Sequence, residues 1–122
     1  MIIGVGTDII EIQRVEKAVM KPSFIHKYFT EQEWEQLAGK NPQSAAASFA
    51  GKEAVVKALG CGFRGVTPRD IEILRDAWGK PVVTLYAGAA DTAARLGVNR
   101  IQICLSHCQH YAIAFAVAEG EG

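Results

Sequence analysis

Apolar positions recur at helical spacing in the first half of the chain and alternate in the second. Residues 2–6 form a short apolar run suited to a buried strand. After Thr7 and Asp8, Ile12, Val15 and Val19 fall on one face of a helix expected to stop near Pro22. Thr30 and Glu33 have the spacing of a capping box, which predicts a short helix ending around Gly39, before the turn residues Asn41 and Pro42. A longer helix follows over about 43–59, with Gly60 just past its end. Its stripe of Ala47, Ala50, Ala54 and Ala58 permits close packing.

From Ile71 onward the period is two. Residues 71–74 and 82–86 flank "DAWGKP" and read as a hairpin with a longer loop, Trp78 half-buried in the turn. A small helix over 87–96 stops at Gly97. Ile101, Ile103 and Leu105 then alternate with polar or small residues. After a break at 106–110, "YAIAFAVA" sets large residues against Ala112, Ala114, Ala116 and Ala118, an alanine face on which a helix can lie close. The pattern predicts one α+β domain over residues 1–122, with a mainly antiparallel sheet packed on one long helix.

A chain of 122 residues, 49% of them hydrophobic, is of single-domain size and can bury about two-thirds of its unfolded surface. The 13 basic and 13 acidic residues cancel, which argues against a nucleic-acid protein held by bulk charge. No apolar run approaches the roughly 18 residues of a membrane span, and no signal peptide is recognisable, so a cytoplasmic location is expected. Three cysteines without a CxxC pair fit free thiols in a reducing compartment.

One stripe of the long helix breaks the apolar rule. Phe49, Lys52, Glu53, Val56 and Lys57 share a face at offsets of three and four, and that face is half charged. Glu53 and Lys57 are spaced for a surface ion pair worth about 0.3–0.5 kcal/mol. Such a pair leaves Phe49 and Val56 unexplained. In a cleft, Glu53 could join Asp8 on Mg²⁺, which typically takes one or two carboxylates plus substrate phosphate oxygens. Lys57 could then reach the phosphates while Phe49 packs on an apolar part of the ligand. Asp8 has a plainer reading as well, because Asp8 and Glu11 form a D-x-x-E variant of the capping box.

The segment "LSHCQHY" invites zinc through Cys104, His107, Cys108 and His110, but its spacing matches no common structural zinc site. A plain hairpin turn explains it better; a serine and histidine at a strand end could also hold a phosphate or ribose, and a Ser-His nucleophile pair is a weaker reading because adjacent residues rarely reach each other's reactive atoms. "WGKP" is by default a turn whose lysine could border a nucleotide.

Taken in order, "GTDIIEIQR", "FAGKEAVVKALG", "GKP" and "LSHCQHYAIA" resemble the holo-acyl-carrier-protein synthase family, the small single-domain 4′-phosphopantetheinyl transferases, over nearly the whole chain. The resemblance implies transfer of the 4′-phosphopantetheine arm of coenzyme A to a serine of apo acyl carrier protein, with Mg²⁺, releasing adenosine 3′,5′-bisphosphate. It implies metal binding by Asp8 and Glu53 and phosphate contact by Lys57. The nucleotide end would meet Lys80 and Pro81 together with Ser106 and His107. Arg14 matches a carrier-protein contact, and Lys17 extends its basic patch. Homotrimers with sites at subunit interfaces are also implied. Ser48 stands where relatives often carry arginine or tryptophan, and Ser23 where many carry arginine, with His26 and Lys27 placed to compensate. Two rivals are a metal-dependent phosphohydrolase, using the same carboxylates without a carrier protein, and a non-catalytic nucleotide-binding module.

Overall fold

The alanine face fixes the layering. In the computed structural model, which describes residues 1–121, Ala112, Ala114, Ala116 and Ala118 are buried on one side of strand β5 (Tyr111–Gly120), beneath the long helix α4 (Pro42–Leu59). Strand β5 is the centre of a three-stranded antiparallel sheet, between β1 (Ile2–Glu11) and β4 (Val98–His107). A second antiparallel pair, β2 (Ile71–Arg75) and β3 (Pro81–Leu85), forms the expected hairpin as a separate sheet. The remaining described helices are α1 (Ile12–Ala18), α2 (Pro22–Tyr28), α3 (Glu31–Leu37) and α5 (Ala87–Leu96), with one 3₁₀ turn at Pro68–Asp70. None of the described helices is long and apolar enough to cross a membrane.

Glycine sets how closely α4 approaches β1. A Cβ on Gly6 would lie 2.0 Å from the Ala54 carbonyl oxygen, and one on Gly4 would lie 2.0 Å from that of Ala58. Hydrogen there lets helix backbone rest on strand backbone. At its ends α4 is stopped as expected: Asn41 Oδ1 accepts from the Ser44 amide at 3.3 Å, and Gly60 takes the left-handed φ of 68°.

Helix α3 bears the predicted capping box, with the Glu33 amide donating to Thr30 Oγ1 (3.1 Å) and the Thr30 amide to Glu33 Oε1 (2.8 Å). Its side chains also serve the outer edge of β2. The Ile73 amide donates to Glu33 Oε2 at 2.8 Å, and the Arg75 amide to Gln36 Oε1 at 2.8 Å, while Gln36 Nε2 donates to the Arg75 carbonyl at 3.0 Å. Two side chains thus complete a ladder where a third strand would otherwise be needed.

Four expectations need correction. Strand β1 continues to Glu11 rather than ending at Gly6, because β5 pairs with it throughout, Asp8 opposite Ala114 and Glu11 opposite Tyr111. Pro22 does not merely end α1 but opens α2, at a first-turn position where its missing N–H costs nothing. Strand β4 runs through Ser106 and His107, so the break is confined to residues 108–110. Trp78 is 94% exposed at the tip of the hairpin, not half-buried.

Candidate active site

Asp8 lies in mid-strand, which removes its capping role: α1 begins after Glu11, and no side chain caps it. Residues opposite one another in an antiparallel ladder share a face, so Asp8 projects with Ala114 toward α4. There Lys57 Nζ donates to Asp8 Oδ1 at 3.2 Å and to the Thr7 carbonyl at 3.0 Å. Glu53, one turn before Lys57 and partly buried, completes the group. Burial pushes the Glu53 carboxyl above its ordinary range, the Asp8 charge pushes it further, and Lys57 offsets part of both. Two carboxylates and one ammonium therefore meet over the glycine contact between β1 and α4.

This donor set fits a hard divalent cation. Two carboxylates close enough for Asp8 to oppose the ionisation of Glu53, with one lysine against them, offer oxygen ligands to a cation. Among the described residues no three His, Cys, Asp or Glu side chains gather as a metal cluster. Two protein carboxylates then leave room for substrate oxygens and water, as Mg²⁺ requires.

Other expected residues surround this group unevenly. Phe49 is half-buried in an aromatic cluster, 6.1 Å from Phe24 and 5.2 Å from Tyr28 between ring centroids. Arg14 and Lys17 are exposed on α1, whose Ile12 and Val15 face inward. His107, opposite Ala112, shares the α4 side of the sheet with Asp8, whereas Ser106 and Cys104, opposite Ile113 and Phe115, face the other way. That alternation separates the imagined zinc ligands Cys104 and His107. Pro81 opens β3 of the other sheet and Lys80 ends the turn before it, where the Lys80 amide donates to Asp76 Oδ1 at 2.9 Å. No hydrogen bond among the described residues joins them to Asp8, Glu53 or Lys57.

Lys52 does not belong to the charged stripe. It is 1% exposed, and its ammonium donates to Glu33 Oε1 (2.8 Å), the Pro68 carbonyl (2.9 Å) and the Ile71 carbonyl (2.6 Å). Nearby, Glu72 accepts from Thr30 Oγ1 (2.7 Å) and the Tyr86 hydroxyl (3.2 Å). Ser48 is buried and accepts from Arg75, whose guanidinium also donates to the Ser44 carbonyl at 3.4 Å. The spacing of Lys52 gave no hint of these partners, because Glu33 and Ile71 are each 19 residues away.

Comparison with known proteins identifies the family and the fold. Residues 4–116 match the model of the 4′-phosphopantetheinyl transferase superfamily. A holo-[acyl-carrier-protein] synthase of Clostridium novyi is 47% identical over 122 residues, covering 98% of this chain and 88% of that protein. The crystal structure of the Neisseria meningitidis holo-[acyl-carrier-protein] synthase superposes with a TM-score of 0.86 at 35% identity, covering 98% of this chain and 99% of that one. The Helicobacter pylori holo-[acyl-carrier-protein] synthase in complex with coenzyme A gives 0.83 at 30% identity, covering 94% and 99%. The carboxylates that meet over Gly6 thus stand in a fold shared along almost the full chain, and the protein belongs to the 4′-phosphopantetheinyl transferase superfamily, among the holo-[acyl-carrier-protein] synthases.

Proposed function

We propose that this chain, as a single domain over 1–122, transfers the 4′-phosphopantetheine group of coenzyme A to a serine of apo acyl carrier protein, using Asp8, Glu53 and Lys57. The observation that carries the reading is the meeting of the two carboxylates with one lysine where α4 lies directly on β1. Transfer joins the serine oxygen to the β-phosphorus of coenzyme A, breaks the bond to the bridging oxygen, which leaves with adenosine 3′,5′-bisphosphate, and releases the serine proton to solvent. Asp8 and Glu53 would hold Mg²⁺, which when bound supplies charge neutralisation at the diphosphate. Lys57, whose side chain is 56% exposed, adds a positive charge beside the carboxylates that can reach the same phosphates as charge builds on the leaving group.

Binding is assigned to the surroundings of this trio. Phe49 borders the apolar arm; Ser106, His107, Lys80 and Pro81 serve the nucleotide end. Arg14 and Lys17 form the docking patch for the acidic carrier protein. The open face of the three-stranded sheet carries Ile9 (62% exposed) and Phe115 (44% exposed) with Val5 and Ile113 beside them, too much apolar surface to leave in water. We assign that face to a homotrimer, in which "GKP" of one subunit reaches the helix of the next. That arrangement accounts for a hairpin without a bond to its own carboxylates. Three free cysteines fit a cytoplasmic location.

The test is incubation with coenzyme A, Mg²⁺ and apo carrier protein, read by the carrier's intact mass. Gain of the phosphopantetheine mass supports transfer. Consumption of coenzyme A without that gain points to the phosphohydrolase, and no consumption points to a binding module. Asp8→Ala should lower the rate about 10²–10³-fold in folded protein at saturating Mg²⁺.

A further inference from the structure

We infer that Lys52, with Glu33, is a positioning residue that sets the rotation of α4 and so presents Glu53 and Lys57 to Asp8. This inference rests on the function proposed above. Gly4 and Gly6 fix how near α4 comes to β1, but backbone contact alone does not set a helix's rotation, and the large apolar side chains that could, Val55, Val56 and Leu59, all lie beyond Glu53. From Ala45 to Ala54 the buried side chains of α4 are Ala45, Ala46, Ala47, Ser48, Ala50, Gly51, Lys52 and Ala54. Alanine and glycine make no ridge that could key into a neighbour. In that stretch Lys52 is the one long buried side chain, and Ser48 adds only a short tie to Arg75.

The three acceptors of Lys52 come from different elements. Glu33 belongs to α3, Pro68 to the 3₁₀ turn and Ile71 to β2, so the ammonium is held from three directions. Glu33 is itself fixed, with Oε1 also accepting from Thr30 and Oε2 from Ile73. A buried ion pair is a poor source of net stability compared with well-packed apolar side chains. Directional bonds supply a defined angle to the stretch of α4 that precedes Glu53, while Val55, Val56 and Leu59, buried beyond it, hold the far end in the core.

A modest rotation has a large effect on the site. Glu53 is the next residue along α4, about 100° around the axis, with its carboxylate about 6 Å out. Turning the helix by about 10° would move that carboxylate by about 1 Å. A misplacement of that size can cost about 10²-fold in rate.

Lys52→Met keeps the length and volume of the side chain and removes its bonds. In protein with wild-type near-ultraviolet circular dichroism, assayed at 15 °C, we expect kcat to fall about 10²-fold while KM for the carrier protein stays within twofold. Electron paramagnetic resonance of Mn²⁺ titrated into the protein without substrates should show at least fivefold weaker binding. Glu33→Gln, which keeps the shape but weakens the pair, should show a smaller change of the same kind, about tenfold in kcat. A merely structural lysine would lower the melting temperature and leave both readings within twofold of wild type, which overturns the inference. If Lys52→Met does not fold, Glu33→Gln decides by the same two readings. Asp8→Ala run in parallel separates the failures: normal turnover and Mn²⁺ binding there sink the metal reading itself, whereas loss there with a normal Lys52→Met sinks only the positioning role.

Discussion

Replacing Gly6 with alanine tests the contact on which the site is built. The added methyl would stand 2.0 Å from the Ala54 carbonyl oxygen, 2.7 Å from the Ala58 nitrogen and 2.9 Å from Lys57 Cβ. Cβ atoms essentially never come within 3.0 Å of such neighbours, so strand and helix must separate by about 1 Å. Both obstacles nearest the methyl are backbone, which cannot swing aside as a flexible side chain would. Overpacking of this kind costs about 1–3 kcal/mol, or about 4–12 °C in melting temperature for a domain this size. The same displacement lifts Glu53 and Lys57 from Asp8, for which we expect about a 10²-fold loss of turnover. Thermal melts by circular dichroism, with transfer followed by carrier mass at least 20 °C below the midpoint, measure the two effects separately. An unchanged midpoint would refute the close approach of α4 to β1. A lowered midpoint with wild-type turnover would refute the dependence of the chemistry on that approach.

Glu53→Gln should raise the melting temperature at pH 7.5 while removing most activity. Burial and Asp8 make folded Glu53 hold its proton more tightly than the unfolded chain does, so its ionisation subtracts stability as pH rises from the ordinary glutamate value through the raised one. Melts from pH 4 to pH 8 should converge with wild type at the acid end, and a variant no more stable at pH 7.5 would count against this account. Phe115→Glu, on the open sheet face, should convert a trimer into monomers by light scattering and raise KM for coenzyme A at least tenfold. A fully active monomer would remove the shared site. Arg14→Glu should raise KM for the acidic carrier protein and flatten its salt dependence, leaving KM for coenzyme A almost unchanged, because exposed charges steer association over a Debye length of about 8 Å at physiological ionic strength. An unchanged carrier KM at low salt would take Arg14 out of the docking surface.

Local patterns made some elements legible and hid others. The cap at Thr30 and Glu33, the stop at Gly60 and the alternation around "DAWGKP" are short-range signals, and each produced the expected element. Asp8 and Glu11 imitate a cap equally well, but the pairing of β1 with β5 joins residues about a hundred positions apart and overrides it. Asp8, Glu53 and Lys57 were reachable from the residues, because helix spacing aligns the last two and a metal reading of Glu53 calls for a second carboxylate, which Asp8 offers; the motif resemblance then implied the same three. Lys52 was misjudged, since a helical wheel shows which residues share a face but not that α3 and β2 close over part of it. The division of the strands into two sheets was equally hidden, because alternation reports faces and not partners.

The service that α3 gives to β2 reaches beyond its hydrogen bonds. A two-stranded ribbon normally has two open sides on which a stray extended chain can grow, the first step toward intermolecular sheet assembly. With Glu33 and Gln36 occupying the amides of Ile73 and Arg75, that route is blocked on one flank of the ribbon. The helix thereby acts as a solubility guard, and crowded solutions of this protein are protected at that margin by two polar side chains whose loss would expose a template for polymerisation.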